Sequence, residues 1–328
     1  MSEATTQAAR DRSVTMLRTA MGPAIAAALD DPQVVEVMLN PDGRLWFDRL
    51  GSGRVDSGVT LSVADAERIL RLVAASVSLE INRDKPLLSA ELPGNGERFE
   101  GVLPPVTYAP TFCIRKHAVG IFSLDDYVAD GILEAGQVAF LRQAVAERLN
   151  ILVAGGTSSG KTTLTNALLG EIAGSGDRVL ILEDTVELQC RSDDHVQLRT
   201  RPGTASMADL VRSTLRQRPD RIVVGEVRGA EALDLLKAWG TGHPGGITTL
   251  HANSAYGALM RLEQLTLEVA SVAPRALIAE AVNVIVFLSG RGTARRVKEM
   301  VRVVGLEGER YQLEPVGHAL HPSEGETV

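Results

Sequence analysis

Between residues 16 and 29 the apolar positions recur at mixed spacings of three and four, which predicts a helix, and Asp30-Asp31-Pro32 stops it. The period then shortens. Val34–Leu39, 45–50 and 55–61 are short runs rich in β-branched or aromatic residues, set apart by turn residues such as Pro41-Asp42-Gly43, and they predict strands. Ser62 stands where an N-cap is expected, and Ile69, Leu72, Val73 and Val77 form the apolar stripe of the helix behind it. Strand-like segments return at 87–92, 98–103 and 111–116. Residues 1–120 therefore predict a small α+β domain with mixed strands.

From 121 to 136 the pattern loosens. Asp125, Asp126 and Asp130, with Gly131 and Gly136, surround a short apolar turn, and the stretch is expected to be a linker. From 137 onward the grammar is different. A helix over 137–148 leads into an apolar strand at 150–154, a glycine-rich turn and a helix from Lys161. Further apolar strands fall at 179–182, 222–224, 247–250 and 284–288, with helical stretches between most of them. Short buried strands alternating with helices predict a mostly parallel α/β sheet, so 137–328 is expected to be a second domain.

Composition narrows the class. A length of 328 residues suits two domains, each able to bury a core. The net charge of −7 argues against a general nucleic-acid coat, and no sequence-specific nucleic-acid binding is expected. No apolar run approaches the roughly 18 residues of a membrane span, and the first dozen residues have no apolar signal-peptide core. Any membrane contact is expected to be peripheral. Two cysteines, Cys113 and Cys190, exclude a disulfide framework and a four-cysteine zinc site. Only five of the 34 basic residues are lysines, so the position of each lysine is informative.

One of the five closes a phosphate loop. Gly155-Gly156-Thr157-Ser158-Ser159-Gly160-Lys161-Thr162 matches G-x-x-x-x-G-K-[ST] in full, after a predicted strand and at the start of a predicted helix. Glycines let successive backbone N–H groups turn inward toward phosphate oxygens, and the helix N-terminus adds its positive end. Lys161 is the expected partner of the β- and γ-phosphates, and the Thr162 hydroxyl an expected Mg²⁺ ligand. Hydrolysis needs carboxylates as well, and two strand ends supply them: Glu183-Asp184, with Glu187 three residues on, and Glu226. In an open parallel sheet the carboxyl ends of the strands are where ligands bind. Glu226 is the expected general base, and Glu183 and Asp184 are expected to hold Mg²⁺ through water. A solvated charge at a strand exit is the bland alternative for each.

At these residues the sequence resembles the traffic ATPases of type II and type IV secretion systems and pilus motors. Glu183-Asp184-Thr185-Val186-Glu187 resembles their Asp box, and Arg221-Ile222-Val223-Val224-Gly225-Glu226-Val227-Arg228 their Walker B. Thr241-Gly242-His243-Pro244-Gly245-Gly246-Ile247-Thr248-Thr249-Leu250-His251 resembles their His box. Order and spacing agree over about residues 30–316, and within the superfamily the likeness is to the conjugal transfer ATPases of type IV machines. The resemblance implies a RecA-like P-loop ATPase domain behind the N-terminal α+β domain, with ATP and Mg²⁺ as cofactors. It also implies a cytoplasmic homohexamer, peripherally attached to the inner membrane through components of a secretion or conjugation apparatus, that energises pilus biogenesis and substrate transfer. It assigns Arg115, in Phe112-Cys113-Ile114-Arg115-Lys116-His117, to the nucleotide. Arg199, Arg201, Arg216 and Arg218 become candidates for the γ-phosphate or a subunit boundary, Arg218 being carried forward as catalytic. His251, closing a strand at the same sheet edge as Glu226, becomes a γ-phosphate sensor.

Competing classes are weaker. Type II and pilus-assembly motors usually carry a four-cysteine metal element, which two cysteines cannot build. Retraction motors typically carry an Ala-Ile-Arg-rich C-terminal motif that residues 291–302 do not resemble. A small-molecule kinase would need a lid and an acceptor pocket, for which the N-terminal domain offers no signature.

Overall fold

The computed structural model describes residues 3–117, 122–201 and 203–317, the side chains of 3–10 excepted. The chain forms two compact units, Met1–Gly120 and Ile121–Val328.

The first unit opens with α1 (Glu3–Asp30), broken at Gly22, whose φ of +79° precedes Pro23. β1 (Val34–Leu39), β2 (Arg44–Arg49) and β3 (Gly53–Thr60) follow, then α2 (Val63–Ser76), β4 (Leu87–Glu91), β5 (Arg98–Val102) and β6 (Thr111–Arg115). The Ser62 side chain caps α2 by accepting from the Asp65 amide. The six strands form one sheet in the order β3-β2-β1-β6-β5-β4. Every pairing in it is antiparallel, where mixed strands were expected. Tight turns join β1 to β2 and β2 to β3, and α2 carries the chain from one sheet edge to the other, so no parallel neighbours arise. Leu17, Met21 and Ile25 of α1 and Ile69, Leu70 and Val73 of α2 are buried with Val37, Leu45, Phe99 and Ile114 of the sheet.

The second unit begins with α3 (Leu124–Ala129) and α4 (Ala135–Ala146). These helices correct the expected linker, apart from residue 121, which lies outside the described residues. Leu124, Tyr127 and Leu133 are buried in one core with Leu141, Leu164 and Leu168. Asp125 and Asp126 read as linker polarity, yet they occupy the first turn of α3, where the helix dipole favours acids, and Asp126 completes a capping box with Ser123.

β7 (Ile151–Gly155), α5 (Lys161–Ile172), β8 (Val179–Glu183), β9 (His195–Arg199), α6 (Met207–Thr214), β10 (Arg221–Val224) and α7 (Glu231–Gly240) come next. β11 (Ile247–Leu250), α8 (Ala255–Thr266), α9 (Arg275–Ala281), β12 (Val284–Ser289), β13 (Arg296–Glu307) and β14 (Arg310–Pro315) complete the unit. Its eight strands run in the order β14-β13-β12-β7-β11-β10-β8-β9. β12 through β9 are parallel, as expected, and the β13–β14 hairpin is antiparallel along one edge. Ile151 and Val153 of β7 enter one core while Leu152 and Ala154 enter another, so both faces of the sheet are covered. Most strand positions are therefore apolar, apart from Arg221, Thr248 and Thr249, and the acids and His251 leave at the carboxyl ends.

Candidate active site

The phosphate loop connects β7 to α5. Ser158 (φ +61°) and Gly160 (φ +94°) are left-handed, which turns the loop back on itself before Lys161 starts the helix. The Lys161 side chain is buried, and its Nζ donates to the carbonyls of Gly155 (3.2 Å) and Gly156 (3.0 Å). It also lies 3.2 Å from His251 Nδ1. The Ser159 hydroxyl is buried with no hydrogen-bond partner among the described residues.

β7, β8, β10 and β11 are parallel, so their carboxyl ends bring Gly155, Glu183, Glu226 and His251 to one edge of the sheet. The Thr248 and Thr249 hydroxyls donate to the carbonyls of Val224 and Gly225, riveting the β11 exit to the β10 exit.

Glu226 is the best-placed carboxylate. Its Oε2 accepts from Arg228 at 2.6 Å. Its Oε1 is buried and makes no hydrogen bond among the described residues; His251 Nε2 stands 3.1 Å away, within ion-pair distance but outside hydrogen-bond geometry. Burial pushes the Glu226 carboxyl up, but the Arg228 hydrogen bond and the charges of Arg228, His251 and Lys161 outweigh it and hold the group below the usual range. Burial and the Lys161 charge lower His251, so the imidazole is neutral near pH 7.

Glu183 does something different from what its position suggests. Its side chain is buried, and Oε1 accepts from the amides of Glu187 and Leu188, both at 2.8 Å. Burial raises its carboxyl to about 7, partly offset by those two amides. The loop so anchored is held again by Asn166, which donates to the Glu187 carbonyl and accepts from the Gln189 amide. The result is Glu187 Oε2 at 3.3 Å from the Thr162 hydroxyl. Asp184, expected at the metal with Thr162, is engaged instead by the Thr200 hydroxyl (2.9 Å) and Arg228 (3.4 Å). Glu183 thus positions, and Glu187 replaces Asp184 beside Thr162.

A helix-opening phosphate loop, an acid with a free buried oxygen and a neutral histidine meet at one sheet edge. Residues 29–293 match the family described as type II/IV secretion system protein. The chain belongs to that family. Among curated relatives in the secretion family, it is 49% identical over 305 residues to the probable conjugal transfer protein TrbB of Sinorhizobium fredii, covering 92% of this chain and 93% of that one. It is 36% identical over 311 residues to the type IV secretion system protein PtlH of Bordetella pertussis, with 83% and 91% covered. Among solved structures, the pilus retraction motor PilT with bound ADP aligns with a TM-score of 0.60 at 19% identity, over 90% of this chain and 82% of that one. The Legionella pneumophila ATPase DotB aligns at 0.59 and 20%, over 88% and 77%. At those identities the two structures establish the shared fold alone.

Of the arginines picked from the secretion-family motifs, Arg199 ends β9 in register with Glu183 and so reaches the same sheet edge, with Arg201 just beyond it in a bridge to Ala205. Arg216 and Arg218 are exposed on the turn before β10, at the opposite, amino end of the sheet. The structure therefore does not bring Arg218 to the carboxylates of its own subunit. Arg115 ends β6 in the first unit, its Nε 3.7 Å from Glu36 Oε1. Arg228, to which the sequence motifs assign no role, joins Glu226 to Asp184. The sequence carries a signal for it, a cation two residues past a strand-exit acid, and the structure adds the Val227 amide that ties the segment to the sheet.

Proposed function

We propose that the protein is an ATP-hydrolysing hexameric motor that energises a type IV secretion machine of the conjugative class. The observation carrying the chemistry is Glu226 Oε1, a buried acceptor beside the phosphate loop that receives no hydrogen bond among the described residues. Such an atom is costly unless a ligand or water completes it. The names of the TrbB and PtlH relatives support the machine.

In this reading the Lys161 ammonium exchanges the Gly155 and Gly156 carbonyls for β- and γ-phosphate oxygens of ATP, and the loop amides hold the remaining charge. Glu226, ionised at pH 7, accepts a hydrogen bond from the attacking water through Oε1 while Arg228 fixes Oε2. As the water oxygen bonds to the γ-phosphorus and the bridging bond to ADP breaks, the water proton passes toward Glu226. His251, linked to both Lys161 and Glu226, reports whether the γ-phosphate is present. Among the described residues no three His, Cys, Asp or Glu side chains gather as a metal-binding group, so Mg²⁺ would rely on Thr162 and Glu187 with phosphate and water completing its shell. When bound, it would neutralise phosphate charge. Arg115 stays in the proposal as a nucleotide contact on the family resemblance. No described helix is long and apolar enough to cross a membrane, and we place the motor on the cytoplasmic side, held by inner-membrane components.

Phosphate release from ATP and Mg²⁺ tests the reading. Lys161→Ala is expected to abolish turnover and severely weaken nucleotide binding, whereas Glu226→Gln should keep binding and lose roughly 10²-fold or more in turnover. Near-normal hydrolysis by Lys161→Ala would overturn the site.

A further inference from the structure

We propose that Arg295 is a nucleotide-positioning residue that clamps the α- and β-phosphates, the part shared by ATP and ADP; the proposal rests on the phosphate loop being the nucleotide site. The argument starts from sheet register. β12 lies beside β7, with Leu288 opposite Gly155, so the turn leaving β12 stands against the phosphate loop. That turn, through the short 3₁₀ segment Gly292–Ala294, delivers Arg295 onto the loop's last glycine. A Cβ built on Gly160 would lie 2.7 Å from Arg295 Nε and 2.8 Å from its Cζ. The guanidinium therefore rests directly on the backbone that precedes Lys161.

The Nε of the same guanidinium is left without an acceptor among the described residues. Nε is buried without a hydrogen bond, and among the described residues Arg295 forms no ion pair. Tyr127, whose hydroxyl is also buried and unpartnered among the described residues, feels the Arg295 charge. Tethering is firm all the same: the Val297 amide donates to the Ile132 carbonyl (3.0 Å), pinning the start of β13 to the segment between α3 and α4. A half-buried guanidinium whose buried Nε lacks an acceptor carries an unmet donor, and a complementary anion is what meets it. The amides of a phosphate loop cradle the α- and β-phosphates, while its lysine reaches the β and γ. A planar guanidinium against the loop's end is thus aimed at the α/β pair, and its fork suits phosphate oxygens. Lys161, Glu226 and His251 address the γ-phosphate; Arg295 holds what remains after it leaves.

The experiment measures binding of ADP and of a non-hydrolysable ATP analogue to the full chain, with turnover as a second readout, in Arg295→Gln, Arg295→Lys and Lys161→Ala. Arg295→Gln should weaken ADP and the ATP analogue by the same factor, about tenfold, raise KM for ATP likewise and leave kcat within about threefold. Arg295→Lys should recover most of the loss. Melting without nucleotide separates folding from binding: a lowered melting temperature with an unchanged ADP-induced increment would mean that Arg295 only packs the loop, and would overturn the proposal. Unchanged ADP affinity in Arg295→Gln, with binding lost in Lys161→Ala, would also overturn it while sparing the nucleotide site. Unchanged binding in Lys161→Ala would instead remove the site on which both readings stand.

Discussion

Glu183 shows how burial assigns a role that residue type does not. A carboxyl at about 7, against an ordinary 4.5, keeps its proton in the folded chain while the unfolded chain ionises. Unfolding therefore releases a proton between these values, and stability falls as pH rises from about 4.5 to 7, then levels off. Glu183→Gln keeps an oxygen acceptor for the Glu187 and Leu188 amides and removes the titration. The variant is expected to match wild type near pH 4 and to exceed it at pH 8, by up to about 3 kcal/mol. Urea denaturation at the two pH values measures this; an unchanged pH slope would show that Glu183 is ionised in the fold. Glu226 lies at an equivalent strand exit and shifts the opposite way, because Arg228 is beside it.

At the scale of elements, the site depends on how closely the β10 exit approaches the β8 exit. The Gly225 amide donates to the Leu182 carbonyl at 2.8 Å, and a Cβ on Gly225 would lie 3.1 Å from Glu183 Cγ. Glu183 is pinned by two amides and has no room to give. Gly225→Ala should therefore cost about 1–2 kcal/mol of stability and displace the loop that places Glu187 beside Thr162. Turnover is expected to fall at least tenfold with the fold retained, as read by denaturation and phosphate release in parallel. Full turnover would mean that the Glu187 placement is immaterial. Element boundaries were legible where one face or both are buried: β1, β7, β8 and β10–β12 are apolar runs. β9 and the β13–β14 hairpin give no such run, because edge strands such as His195–Arg199 alternate between exposed and half-buried positions and carry charge.

For the whole molecule, Arg218 is the informative residue. It is exposed at the amino end of the sheet, on a left-handed turn (φ +53°), so a role at phosphate requires a neighbouring subunit's site. A ring supplies one. Light scattering should show six subunits, favoured by ATP and Mg²⁺, since a ligand held at the subunit boundary stabilises the assembly it bridges. A monomer at micromolar concentration with and without nucleotide would contradict this. Mixing inactive Arg218→Ala with inactive Lys161→Ala subunits should restore part of the turnover. Intact mixed rings without recovery would return Arg218 to an ordinary surface position.

Local sequence determined the phosphate loop, because its glycines, lysine and threonine act through the backbone of one strand–turn–helix. It likewise determined the alternation that makes a parallel sheet and the acids that leave its strands. Which acid does what was decided only by the tertiary structure. Whether Glu183 titrates near 7 or Glu226 stays ionised depends on burial and on where the folded backbone turns a nearby cation, as Arg228 reaches both Glu226 and Asp184. Residues 122–136 read as linker because their aspartates and glycines break up the apolar pattern, and they are core because Leu124, Tyr127 and Leu133 pack against the sheet. Arg295 carries no motif at all; strand order alone sets it on Gly160, since β12 pairs with β7 across more than a hundred residues of chain.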